Sequence, residues 1–239
     1  MNARILSRAV FLIFSLQFAP QHNDMRMQLN AGTKEERIQQ LVALGVEQKT
    51  ADEALSPIDP VVEWQPIRTE SRQQYAILFL PCTVDSAYLY LMKNVGEEWK
   101  ISDSADFDCH YDNSVSIGIS PARESAVDDV LVHHVSEAHG TGVSFQHFKV
   151  ITVTEGKLKV VLDTEEVVEA SHVVPVGRYN LHQQSTFVVI PVVHSHSVVI
   201  EETRSTVLND KLTVSRRRFR WAGNRYVRTR FVPLTADEH

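Results

Sequence analysis

Residues Asp128–Asp163, DDVLVHHVSEAHGTGVSFQHFKVITVTEGKLKVVLD, decide the fold. Val130–Val135 is an apolar run of the kind found in strands buried on both faces. After the Gly140-Thr141-Gly142 turn, Phe148–Thr154 and Lys157–Leu162 alternate around Glu155-Gly156, which is a hairpin signature. Four of the chain's eleven histidines also lie here (His133, His134, His139 and His147), so the stretch reads either as a metal or catalytic centre or as one structural unit. The same form recurs. Tyr88–Asp103 turns at Gly96 and Phe219–Phe231 turns at Gly223-Asn224, and apolar runs precede all three hairpins at Ala76–Leu80, Val130–Val135 and Phe187–Val193. Three units are fewer than a closed propeller needs. The expected fold is therefore mainly β: an antiparallel β-sandwich or open propeller-like repeat of β-meanders, with a short N-terminal helical pair.

That helical pair is the one convincing departure from β patterning. Thr33 and Glu36 form a capping box ahead of Ile38, Leu41, Val42 and Leu44, and Gly45 ends the first helix. A second helix over residues 47–55 stops at Ser56-Pro57, because the residue before proline is pushed out of the α region. Upstream, Arg4 and Arg8 precede Ala9–Ala19, an apolar run too short to span a membrane but long enough for a signal peptide. The chain is thus divided into a signal peptide at 1–19, a linker at 20–32, the helical pair at 33–57 and an antiparallel β domain at 58–239 with about three repeated units. Export to a periplasmic or extracellular location follows, with no transmembrane segment after signal removal. An even pair of cysteines, Cys82 and Cys109, fits that compartment and is expected to form a disulfide.

Two local resemblances carry fold expectations. Asp129-Val130-Leu131-Val132 resembles the inner-strand phrase of exported bacterial β-repeat proteins of the FG-GAP, propeller-type kind, although the FG-GAP phrase itself is absent. That resemblance implies stacked β units. Residues 35–55, EERIQQLVALGVEQKTADEAL, resemble the first two helices of ubiquitin-associated domains, with no counterpart of the third.

Charge points to function class. The net charge of −6 argues against nucleic acid as a partner, yet residues 211–234 hold eight Lys or Arg and no acidic residue. In SRRRFRW, alternation puts Arg216, Arg218 and Arg220 on one face and Arg217, Phe219 and Trp221 on the other. Arg228 and Arg230 on the returning strand are expected to join the first row, giving a seat for an anionic ligand or protein partner.

Two metal readings compete. His194 and His196, two apart, with Glu201 give His-x-His-x4-Glu, which is similar to the first cupin metal motif and implies a divalent-metal enzyme. The motif's flanking glycines are missing, and Pro175-Val176-Gly177, a partial match to the second cupin motif, precedes it. Asp103, Asp106, Asp108 and Asp112, in what reads as one polar loop, offer oxygen ligands for calcium without the EF-hand glycine. Apart from such a divalent metal or calcium, no cofactor is expected. The reading carried forward is an exported, non-catalytic binding or structural β-module, with a metal-dependent enzyme and a calcium-stabilised β-module as alternatives.

Overall fold

A computed structural model describes residues 25–56, 60–82, 86–109, 114–121, 127–138, 143–174, 177–192 and 197–234. The signal-peptide region, Asp112, His139, His194 and His196 lie outside these residues. Helix α1 (Lys34–Ala43) begins at the expected capping box, with Glu36 N–H donating to Thr33 Oγ1 and Thr33 N–H donating to Glu36. Gly45 follows it with φ +98°, where a left-handed residue satisfies the last carbonyls. Helix α2 (Gln48–Ala54) completes the pair. Residues 25–29, expected to be linker, are also helical and bury Leu29. Buried Arg37 secures that turn by donating to the carbonyls of Leu29 and Pro60. A short turn anchored by one leucine leaves too weak a periodicity to read from sequence.

The β part is an antiparallel meander in two hydrogen-bonded sheets. The first contains β1 (Glu63–Ile67), β2 (Tyr75–Leu80), β3 (Ser86–Val95) and β4 (Glu98–Asp108) in that order. The second, nine-stranded sheet runs from β5 (Ser114–Pro121) through β6 (Asp128–Ala138), β7 (Val143–Thr154), β8 (Lys157–Val174), β9 (Gly177–Val192), β10 (Ser197–Leu208) and β11 (Lys211–Trp221) to β12 (Tyr226–Arg228). A last pair of residues, β13 (Val232–Pro233), also pairs with β11.

Three cores stack these elements into layers. The helices cover one face of the first sheet over Trp64, Ala76, Leu78, Leu80 and Met92, and Trp64 meets Trp99 edge-on at 5.0 Å. The opposite face, with Ile77, Phe79, Leu89 and Leu91, packs on Val130, Val132, Ile151 and Val153 of β6 and β7. The other side of β6–β8, with Leu131, Phe148, Val150 and Leu162, is covered by Ile200, Phe219 and Tyr226 of β10–β12. The nine-stranded sheet must therefore fold over itself. It does so because β9 pairs with β8 only over Glu169–Val174, so the rest of β9 swings across β7. Phe148 and Phe187 consequently stack at 4.0 Å.

β2 is buried at every position, as its apolar run predicts. The run at Phe187 differs: Phe187 packs inward while Val188 is 52% exposed, because β9 belongs to the outermost layer. The β3–β4 and β7–β8 turns are two-residue turns with both residues at positive φ (Gly96-Glu97 and Glu155-Gly156). A Cβ on Gly156 would stand 3.0 Å from the Tyr75 hydroxyl, so that position also needs glycine for space. The β10–β11 turn, Asn209-Asp210, has the same geometry and was not anticipated, although Asn-Asp tolerates positive φ. The third hairpin turns at Gly223-Asn224 as expected, with Ala222 N–H donating to the Arg225 carbonyl at 2.9 Å and Trp221 opposite Tyr226.

Candidate functional site

Cross-strand partners in an antiparallel pair share a face, so the register of β9–β12 sorts the arginine hairpin. On the outer face Arg218 stands opposite Glu201, Arg216 opposite Thr203 and Arg220 between Val199 and Val227. Arg218 Nε donates to Glu201 Oε2 at 2.8 Å, and Arg216 Nε lies 3.9 Å from the same oxygen. Arg220 and Arg230 are exposed. Arg228 does not join this row. It stands opposite buried Phe219, on the inner face, and lines a recess of about 570 Å³ with Asp163 and Thr164 of β8. The turn centred on Gly223-Asn224 sets that register by placing Tyr226 opposite Trp221, which puts even-numbered residues of β12 beside odd-numbered residues of β11.

The inner face holds a charged cluster that sequence reasoning did not single out. Glu202 is fully buried; its Oε1 accepts from Ser185 Oγ at 2.8 Å and Arg204 Nη2 at 2.9 Å, and its Oε2 accepts from Arg217 Nε at 2.6 Å. Phe231 covers both guanidiniums, with its ring centre 3.9 Å from Arg204 and 4.4 Å from Arg217. Burial, reinforced by the neighbouring Arg217, pulls the Arg204 pKa down to about 10, so it stays charged at neutral pH. The available signal was parity: Glu202 and Arg204 share a face with Ile200, and Arg217 with Phe219, so charge falls on an apolar face.

The two metal sets fare differently. Asp103, Asp106 and Asp108 belong to strand β4 and not to a loop. An irregularity opposite Leu91/Met92 changes the face, so Asp103 points to the β7–β8 turn, where it accepts the Leu158 N–H at 2.8 Å. Asp106 sits opposite Tyr88, on the helix-facing side. Asp103 therefore cannot share a calcium ion with Asp106 and Asp108, which lie on the other face; the serine-and-aspartate exposed side of an edge strand had imitated a loop. Glu201, the expected third ligand beside His194 and His196, is engaged by Arg218. Among the described residues no group of three or more His, Cys, Asp or Glu could hold a metal.

No family model, no curated protein and no solved structure matches this chain. Its functional reading therefore rests on its own residues.

His133 and His134 point to opposite faces, as strand alternation requires. His133 meets Gln146 in the outer core. His134 stacks on His147 at 5.3 Å and meets Phe107 edge-on at 6.5 Å, where the two sheets meet. Burial pushes the pKa of both His133 and His134 below 6.5, and His147 pushes His134 further. The charged neighbours of His134 are His147, Lys149 and Asp108, the last opposing the shift. A histidine whose folded pKa is lowered binds its proton more readily when unfolded. Its contribution is complete above the unfolded pKa and is lost as pH falls through that value. Thermal midpoints should therefore hold steady above about pH 7 and fall on acidification from about 6.5 towards 5, with a shallower fall in His134→Phe. An equal slope in that variant would remove His134 as the cause.

Proposed function

We propose that the chain is an exported, non-catalytic β-module that holds an anionic ligand or partner on the outer face of β11. The observation that carries the reading is the row Arg216, Arg218 and Arg220, with Glu201 the one carboxylate among their cross-strand neighbours. Alternate residues of a strand project about 7 Å apart, so the row suits an extended partner bearing several carboxylates or phosphates. Guanidinium forks engage such groups two bonds at a time. Valines at 188, 227 and 232 are exposed on this side of the molecule and add apolar contact between the charges.

Export draws support from Cys82 and Cys109, whose sulfur atoms stand at bonding distance. No helix among the described residues is long and apolar enough to cross a membrane. The test is binding of soluble polyphosphate. Arg216→Gln/Arg218→Gln/Arg220→Gln should weaken it at least about tenfold and flatten its salt dependence, with little change in melting temperature. Equal binding by the triple variant would overturn the proposal.

A further inference from the structure

The edges of the two sheets are not alike. An edge strand offers unpaired N–H and C=O groups, and most proteins guard it with charge, proline or brevity. β1 is five residues long and contains Pro66. β4 carries Glu98, Lys100, Asp106 and Asp108, and the β7–β8 turn docks against it through Ser102 and Asp103. β12 has three residues, between Arg225 and Arg230. β5, Ser114–Pro121, is eight residues without a charge, SVSIGISP, with its proline only at the last position and none within Ser114–Ser120, and among the described residues nothing pairs with its outer side.

From this contrast we infer that β5 is the contact of a symmetric homodimer, pairing antiparallel with β5 of a second copy. Its sequence is self-complementary about Ile117. Reversal places Val115 opposite Ile119, Ser116 opposite Gly118 and Ser114 opposite Ser120, with Ile117 opposite itself. Val115, Ile117 and Ile119 all pack towards the core between the two sheets. A two-fold axis through Ile117 therefore aligns apolar with apolar on that face and small with small on the other, with no like charges opposed. Self-pairing of this kind closes at two copies and joins the two nine-stranded sheets into one. It also yields one particle with two arginine rows, and rests on no assumption about what those rows bind.

The test is sedimentation of the full chain across the micromolar range. The wild type should show a reversible monomer–dimer equilibrium. Ser116→Lys and Gly118→Lys should each weaken it at least about tenfold by placing charge on the edge. Ser116 is exposed and the space around Gly118 is open, so both variants should keep the wild-type melting temperature. Ser116→Lys mixed with Gly118→Glu should form a heterodimer, because those positions face each other in the inferred register. A wild type that stays monomeric would overturn the inference, as would a dimer unaffected by both lysine variants. A mixture that forms no heterodimer would overturn the register.

Discussion

Glu202→Leu should lower stability by about 3–5 kcal/mol, because removing one member of a buried ion cluster leaves its partners' charge behind. Two guanidiniums, from Arg204 and Arg217, converge on this fully buried carboxylate. Arg217 is itself 7% exposed, so water cannot take over the carboxylate's role without opening the outer layer. In a chain of this size the loss corresponds to about 6–20 °C in thermal midpoint. The triple variant Glu202→Leu/Arg204→Met/Arg217→Met should be more stable than the single, since exchanging the whole set for apolar side chains removes the desolvation cost as well. Glu201→Gln, one residue away on the outer face, breaks a more solvated pair and should cost less than about 1 kcal/mol. Comparable losses at 201 and 202 by chemical denaturation would refute this account.

The second large effect is expected at the Cys82–Cys109 pair. The cysteines follow β2 and β4, with Cα atoms 5.6 Å apart, at the end of the sheet where β3 starts. Closing a loop of 27 residues lowers the entropy of the unfolded chain by an amount worth about 3–4 kcal/mol. Cys82→Ser/Cys109→Ser should lose stability on that scale, and reductant should bring the wild type to a similar midpoint. Mass analysis of unreduced, alkylated protein should show no label on either cysteine. Label on both, or a melting temperature indifferent to reductant, would count against the bond. Because Cys109 is 2% exposed, the serine pair also buries a hydroxyl, so the reductant arm isolates the cross-link itself.

Not every part of the molecule was equally legible. The capping box, Gly45, the β3–β4 and β7–β8 turns and the buried β2 run could be read because each depends on contacts within a few residues. The Asp103–Asp108 stretch misled because the exposed side of an edge strand carries turn-forming residues, so composition imitated a loop. Arg228 was misplaced because same-parity numbering does not mean a shared face: a turn centred on Gly223-Asn224 pairs even-numbered residues of one strand with odd-numbered residues of the other. The Glu202 cluster went unseen because a glutamate in an alternating strand looks solvent-facing until its partners are known.

Alone, the amino-acid sequence determined an antiparallel β protein led by a capped helical pair, with eight Lys or Arg and no acidic residue over residues 211–234. Periodicity, turn chemistry and caps are local, and a single chain displays them. Only the tertiary structure decided that the nine-stranded sheet folds over itself, that Arg217 and Arg204 converge on buried Glu202, and that β5 is an edge. Each of those depends on which side of a strand another layer covers. Packing at a distance settles that, and the spacing of residues along the chain does not.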